Sequence, residues 1–109
     1  MAVSKRLRRF DPHAPSKQLA TDEESPRYGS ATALYRFFDK EQQLLYVGIT
    51  GQPRERWPKH RRKAEWWPQA AFVAVEIHPT EWQALDAERA AIAAENPQFN
   101  KRSKKEVRI

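Results

Sequence analysis

The chain has no cysteine in its 109 residues. Neither a disulfide nor a thiolate metal centre can brace it, and cysteine chemistry is excluded from its repertoire. Long apolar runs are missing too, with no stretch near the roughly 18 residues that a membrane-spanning helix needs. Only three glycines are present, so few positions can hold backbone that glycine alone adopts readily. Residues 1–10 are basic but no apolar segment follows them, which argues against a secretory leader and makes a cytoplasmic address the default.

What is plentiful is positive charge and aromatic surface. The formal net charge is +6, and the rings number five Phe, four Trp and three Tyr. Charge is unevenly placed. Residues 1–30 carry six basic and four acidic side chains, residues 31–100 nine of each, and residues 101–109 five basic and one acidic. Residues 1–30 show no sustained apolar periodicity and include Pro12, Pro15, Pro26 and Gly29, the pattern of an unanchored arm. The expected organisation is therefore a flexible basic arm over 1–30, a folded domain over 31–101 and a basic tail over 102–109. The two ends could track a phosphate backbone or serve only solubility. Within the balanced centre, Arg54, Arg56, Lys59, Arg61, Arg62 and Lys63 crowd together with only Glu55 to oppose them. A core of about 70 residues is near the lower limit for independent folding, so its tryptophans must be well used.

Residues 33–38 are rich in aromatic and apolar side chains and predict a strand. The polar stretch 39–43 predicts a hairpin connection, and residues 44–47 a return strand. Gly48 follows, where a side chain would be unwelcome. Pro53 suits the first turn of a helix. Pro58 either lies in the first turn of a helix that starts near Arg56 or kinks a longer one, and Pro68 stops that helix after about Trp67. Residues 71–77 alternate as a third strand, ended by Pro79. Thr80 is an apt N-cap for an alanine-rich helix over 81–95, which Pro97 ends. The order β-β-α-β-α predicts an α+β fold, a small three-stranded and mostly antiparallel sheet flanked by helices.

On the second helix Trp82, Leu85 and Ile92 define an apolar stripe, and Glu88 falls within about 60° of Leu85 and Ile92. A carboxylate beside the core needs a cation or donors, so Glu88 is either a metal ligand or a flank residue paired with a neighbour such as Arg89. Arg56 and His60, four apart, share a helix face with Lys59 and Lys63 nearby. Arg56 could stabilise charge on phosphate oxygens, and His60 could pass a proton, although basic helices are commonly just solvated. Tyr35 and Tyr46 sit on the two hairpin strands, where their rings could be cross-strand neighbours. A phenol is a poor base unless cations depress its pKa, and two core tyrosines are the plain alternative.

Taken together these positions resemble the GIY-YIG nuclease superfamily over about residues 33–101. The first signature stands as Ala33-Leu34-Tyr35, departing at Gly and Ile, and the second as Tyr46-Val47-Gly48. Arg56, His60, Glu88 and Asn100 follow in the family's order, with Pro97 before the asparagine. The resemblance implies an endonuclease that hydrolyses phosphodiester bonds in DNA. It implies one divalent ion, magnesium or manganese, held by Glu88 and otherwise by water and phosphate oxygen. Tyr35 or Tyr46 would activate water, Arg56 would stabilise the phosphate, His60 would support it, and Asn100 would anchor the end of the second helix. Gly48, Arg54, Lys59 and Lys63 are the expected substrate contacts, with Arg54 also a rival to Arg56. Ile49 stands where the family often has a polar residue or lysine. No separate specificity domain is visible, so low selectivity, recognition of a nucleic-acid structure, or delivery by a protein partner is expected. Two alternatives are a binding module of the same fold without cleavage, and an adaptor that uses Trp57, Trp66 and Trp67 as exposed protein contacts.

Overall fold

Thr32–Phe38, in which six of seven residues have large or β-branched side chains, builds an inner strand of a four-stranded antiparallel sheet. The structure, a computed structural model, describes residues 7–100. In chain order the elements are β1 (Arg8–Arg9), β2 (Thr32–Phe38), β3 (Leu44–Thr50), α1 (Pro53–Lys63), β4 (Phe72–His78) and α2 (Glu81–Glu95). Across the sheet the strands run β1-β4-β2-β3, every neighbouring pair antiparallel. This is the expected α+β architecture with one strand more than predicted.

The hairpin between β2 and β3 closes because Asp39 accepts bonds from the Glu41 and Gln43 backbone N–H groups. Gln42 then takes a left-handed φ of 64°. Thr80 caps α2 by accepting from the Gln83 N–H, and Asn96 ends that helix in the left-handed region just before Pro97. The predicted bounds of α2, 81–95, agree with the structure. α1 begins at Pro53 and holds Pro58 inside, the longer of the two helices considered, but it stops at Lys63 and not near Trp67, with Trp67–Gln69 forming a separate 3₁₀ turn. Trp66 and Trp67 leave the helix to enter the core.

The extra strand corrects the expectation of a free arm over residues 1–30, so far as residues 7–30 are concerned. Arg8 pairs with Val73 and Arg9 with Phe72, while Phe10, Leu19 and Ala20 are buried. Distant side chains tie the segment down. The Trp67 indole N–H donates to the Pro12 carbonyl at 2.8 Å, Arg61 donates to the Ala14 carbonyl at 2.6 Å, and Arg8 pairs with Glu24 at 2.6 Å. Anchors of this kind leave no periodic trace, because single apolar residues and bonds to backbone carbonyls do the holding. Residues 1–6 and the predicted basic tail lie outside the described residues.

The two faces of the sheet are packed differently. One meets α1 and the N-terminal segment through Phe10, Tyr35, Phe37, Trp57, Trp66 and Trp67. The burial of all three tryptophans corrects the idea that they form an exposed protein-contact patch. The other face meets α2 through Leu34, Val47, Ala91 and half-buried Ile92. Trp82, predicted in the α2 stripe, is instead 76% exposed. Small Ala84 and Ala91 make the buried contact, letting the helix lie close. No helix among the described residues is long and apolar enough to cross a membrane.

Candidate active site

Alternation along β2 and β3 sends Tyr35 and Tyr46 to the aromatic face. Tyr35 stands opposite Gly48, and Tyr46 opposite Phe37, so the tyrosines are diagonal neighbours rather than a direct pair, with ring centres 6.3 Å apart. Gly48 makes the convergence possible. A Cβ there would lie 2.6 Å from the Tyr35 hydroxyl oxygen and 2.9 Å from Cε2 of Tyr46, closer than real contacts allow. Gly48 is thus placed beneath the two phenols.

α1 brings the next two groups. The Tyr35 hydroxyl and His60 Nε2 are 2.8 Å apart, and the Arg56 guanidinium is near enough to act on the same hydroxyl through its charge. The bond has two forms: the phenol donates to Nε2 when the imidazole carries its hydrogen on Nδ1, and accepts from Nε2 in the other tautomer. The aromatic core holds these groups in place. Trp66 stacks on Tyr46 at 4.9 Å with rings 18° from parallel, and leans against His60 at 5.2 Å. Spacing rules do not reveal Trp66, because it comes after α1 has ended and reaches the site by reversing direction.

Glu88 projects from α2, half-buried, and is coupled through its charge to Arg56 and both tyrosines. Burial pushes its carboxyl above the usual range, with Arg89 and Arg56 opposing the rise. Burial also pushes Tyr35 far above the ordinary phenol value, aided by Tyr46 and Glu88 and opposed by Arg56. Tyr46 is raised by burial too, against the Arg56 charge. His60 moves the other way, down to about 4, because burial and then Arg56 both disfavour the imidazolium. Near neutral pH the cluster therefore comprises two neutral phenols, a neutral imidazole and a guanidinium, facing a carboxyl group.

Four of the remaining candidates stand apart from the tyrosines. Arg54 pairs with Asp22 at the start of α1, so Arg56 and not Arg54 is the guanidinium of the cluster. Lys59 and Lys63 are exposed on α1. Asn100 holds backbone. Its Oδ1 accepts from the Val47 N–H and its Nδ2 donates to the Val47 carbonyl, each at 2.9 Å. With bonds from Gln98 to Leu44 and Phe99 to Leu45, it pairs the outer edge of β3 beside Tyr46.

Among the described residues no three His, Cys, Asp or Glu side chains gather as a metal cage. The donor set at Glu88 is one hard oxygen carboxylate flanked by phenols. That suits a single divalent ion which keeps most of its water, and does not suit a closed zinc or calcium site.

The family profile described as the GIY-YIG catalytic domain matches residues 32–103, about two thirds of the chain. No curated protein and no solved structure gives a significant match. The matched span contains both tyrosine strands, α1, β4, α2 and the asparagine clamp. On that match, carried over the fold and residue order just described, this chain belongs to the GIY-YIG catalytic-domain family, a family of endonucleases.

Proposed function

We propose that the protein is a metal-dependent endonuclease that hydrolyses phosphodiester bonds in DNA at the Tyr35–Tyr46–Arg56–His60–Glu88 cluster. The observation that carries this reading is the Tyr35 hydroxyl 2.8 Å from His60 Nε2 and within reach of the Arg56 charge, beside a glycine that admits it. A structural tyrosine needs one partner; this one organises a cation and a neutral imidazole at a position beside a half-buried carboxylate.

The two tyrosines have different environments. Tyr35 is 0% exposed, which suits a positioning group that fixes Arg56 and His60. Tyr46 is only half-buried and faces the same cluster, so it is the better placed to lose its own proton to solvent and, as phenolate, to take one from the attacking water. The neutral imidazole of His60 can hold a proton passed through the Tyr35 hydroxyl. Arg56, at the open side of the cluster, meets the charge that grows on the phosphate oxygens. Glu88 would hold a magnesium or manganese ion. Such an ion, when bound, supplies positive charge that favours ionised tyrosine and polarises the phosphate. Lys59 and Lys63, exposed on α1, add non-specific attraction to the DNA backbone. A protein partner remains part of this reading as the source of target choice.

Nicking of supercoiled plasmid with magnesium or manganese tests it. Wild type is expected to nick, chelator to stop it, and Glu88→Ala and Arg56→Ala each to lower the rate by about 10²–10³. Equal nicking by both variants and wild type would refute the residue roles. No nicking by wild type, together with salt-dependent plasmid binding, would leave a binding module of this fold.

A further inference from the structure

The cations of α1 divide between two flanks of the helix. At about 100° per residue, Pro53, Trp57 and His60 turn one side of α1 toward the sheet, with Pro53 and Trp57 buried there. Arg54 and Arg61 fall together on one flank of that side. Arg56, Lys59 and Lys63 fall on the other, roughly 180° away.

The first flank is covered. Arg54 pairs with Asp22, and Arg61 donates to the Ala14 carbonyl and to the Ser16 hydroxyl, each at 2.6 Å. These contacts come from the N-terminal segment, which lies before the family domain itself. The second flank is open. Arg56, Lys59 and Lys63 are exposed, and none has an ion-pair partner among the described residues. Glu55, the only acid of α1, pairs with none of them.

The open flank starts inside the candidate site, where the Arg56 charge acts on both tyrosines and on Glu88. From there it leads away along the helix axis, with Lys59 about 4.5 Å and Lys63 about 10 Å beyond Arg56. A strand of duplex DNA advances about 3.4 Å per nucleotide, so the flank spans about three nucleotides.

Resting on the nuclease reading, we infer that α1 carries one DNA strand along its open flank, with the phosphate to be cut at Arg56 and the next phosphates on Lys59 and Lys63, while the N-terminal segment keeps the strand off the other flank. Lysine suits this task. Its ammonium is a point charge on a flexible stem that can follow a backbone without reading bases. The contacts would fix the direction in which the strand leaves the tyrosine cluster and would select no sequence. Lys17, exposed on the covering segment beside Ser16, is a cation that the strand should not reach.

The test is plasmid binding by the full chain in chelator, where cleavage cannot interfere, measured as salt is raised. Lys59→Gln and Lys63→Gln should each flatten the slope of log affinity against log salt by about 0.9, and the double variant by about 1.8. Between about 50 and 200 mM salt, each single variant then loses about threefold less affinity than wild type. Melting temperatures should be unchanged, since both side chains are exposed. Lys17→Gln removes the same charge from the covered side and should keep the wild-type slope. A wild-type slope in the double variant, or an equal loss of slope in Lys17→Gln, overturns the inference. The nuclease reading is scored separately by plasmid nicking. Its failure with the expected slopes removes the catalysis and leaves the strand path, and nicking with unaltered slopes removes the path alone.

Discussion

The two faces of the sheet solve the problem of burying polar groups in opposite ways. On the α1 face, hydroxyl, imidazole and guanidinium sit at the rim of an aromatic core, where ring contacts hold Tyr46 and His60 and none of the groups forms an ion pair with an acid among the described residues. On the α2 face, charge is neutralised inside the protein. Arg36 donates to Glu76 at 2.5 Å and to Glu95 at 2.8 Å, and Glu76 also meets His78 at 3.1 Å. The side chains of Arg36 and Glu76 are only 8% and 6% exposed. The difference separates tasks. A guanidinium shared by two carboxylates has no positive charge left to offer a ligand, whereas Arg56 on the aromatic face keeps its own.

The largest expected effect on stability follows from breaking the closed cluster. Arg36→Met should cost about 3 kcal/mol, because removing one partner strands buried charge, and should lower the melting temperature by more than 10 °C. Cleavage at a temperature where the variant is still folded should be unchanged. A variant that keeps its stability would show that the cluster is not what holds α2 down.

Next is the contact beneath the tyrosines. Gly48→Ala must push Tyr35 or Tyr46 aside, at a stability cost of about 1–3 kcal/mol. Its effect on nicking should be disproportionate, at least tenfold with the protein folded, since both phenols are displaced. Nicking at the wild-type rate would mean that their placement does not matter.

Acid offers a finer comparison. His60 is lowered to about 4 in the fold, whereas an unfolded histidine titrates near 6.5. The unfolded chain thus takes up the proton first. The stability due to a neutral His60 is present above about 6.5 and is lost as pH falls toward 4, by up to about 3 kcal/mol. Melting curves across that window should show the slope in wild type and a weaker one in His60→Gln. Identical slopes would place the acid sensitivity elsewhere.

Much of the framework was legible in the sequence because its signals are local. Thr80, the alanine run and Pro97 delimit α2, and Asp39 marks the hairpin, as each does its work within a few residues. The packed N-terminal segment was not, since Phe10 packs on Trp57 and Trp67, and Trp67 and Arg61 bond the Pro12 and Ala14 carbonyls, all from far along the chain. Trp82 misled for a related reason: a helix projection gives angles, and the structure uses Ala84 and Ala91 to bring α2 close. In the candidate site, the four-residue step from Arg56 to His60 told that they share a face. That the Tyr35 hydroxyl would meet His60, and that Trp66 would brace that imidazole, depended on how α1 and the turn after it pack on the sheet.

The most direct test of the account is the initial rate of magnesium-dependent plasmid nicking by Tyr46→Phe, with its melting temperature measured on the same sample. Removing one half-buried hydroxyl should leave stability within about 1 kcal/mol, while the rate falls by about 10²–10⁴ as expected for loss of a proton acceptor. Nicking at the wild-type rate by a fully folded Tyr46→Phe would contradict the claim that the aromatic face of this sheet is where the chemistry takes place.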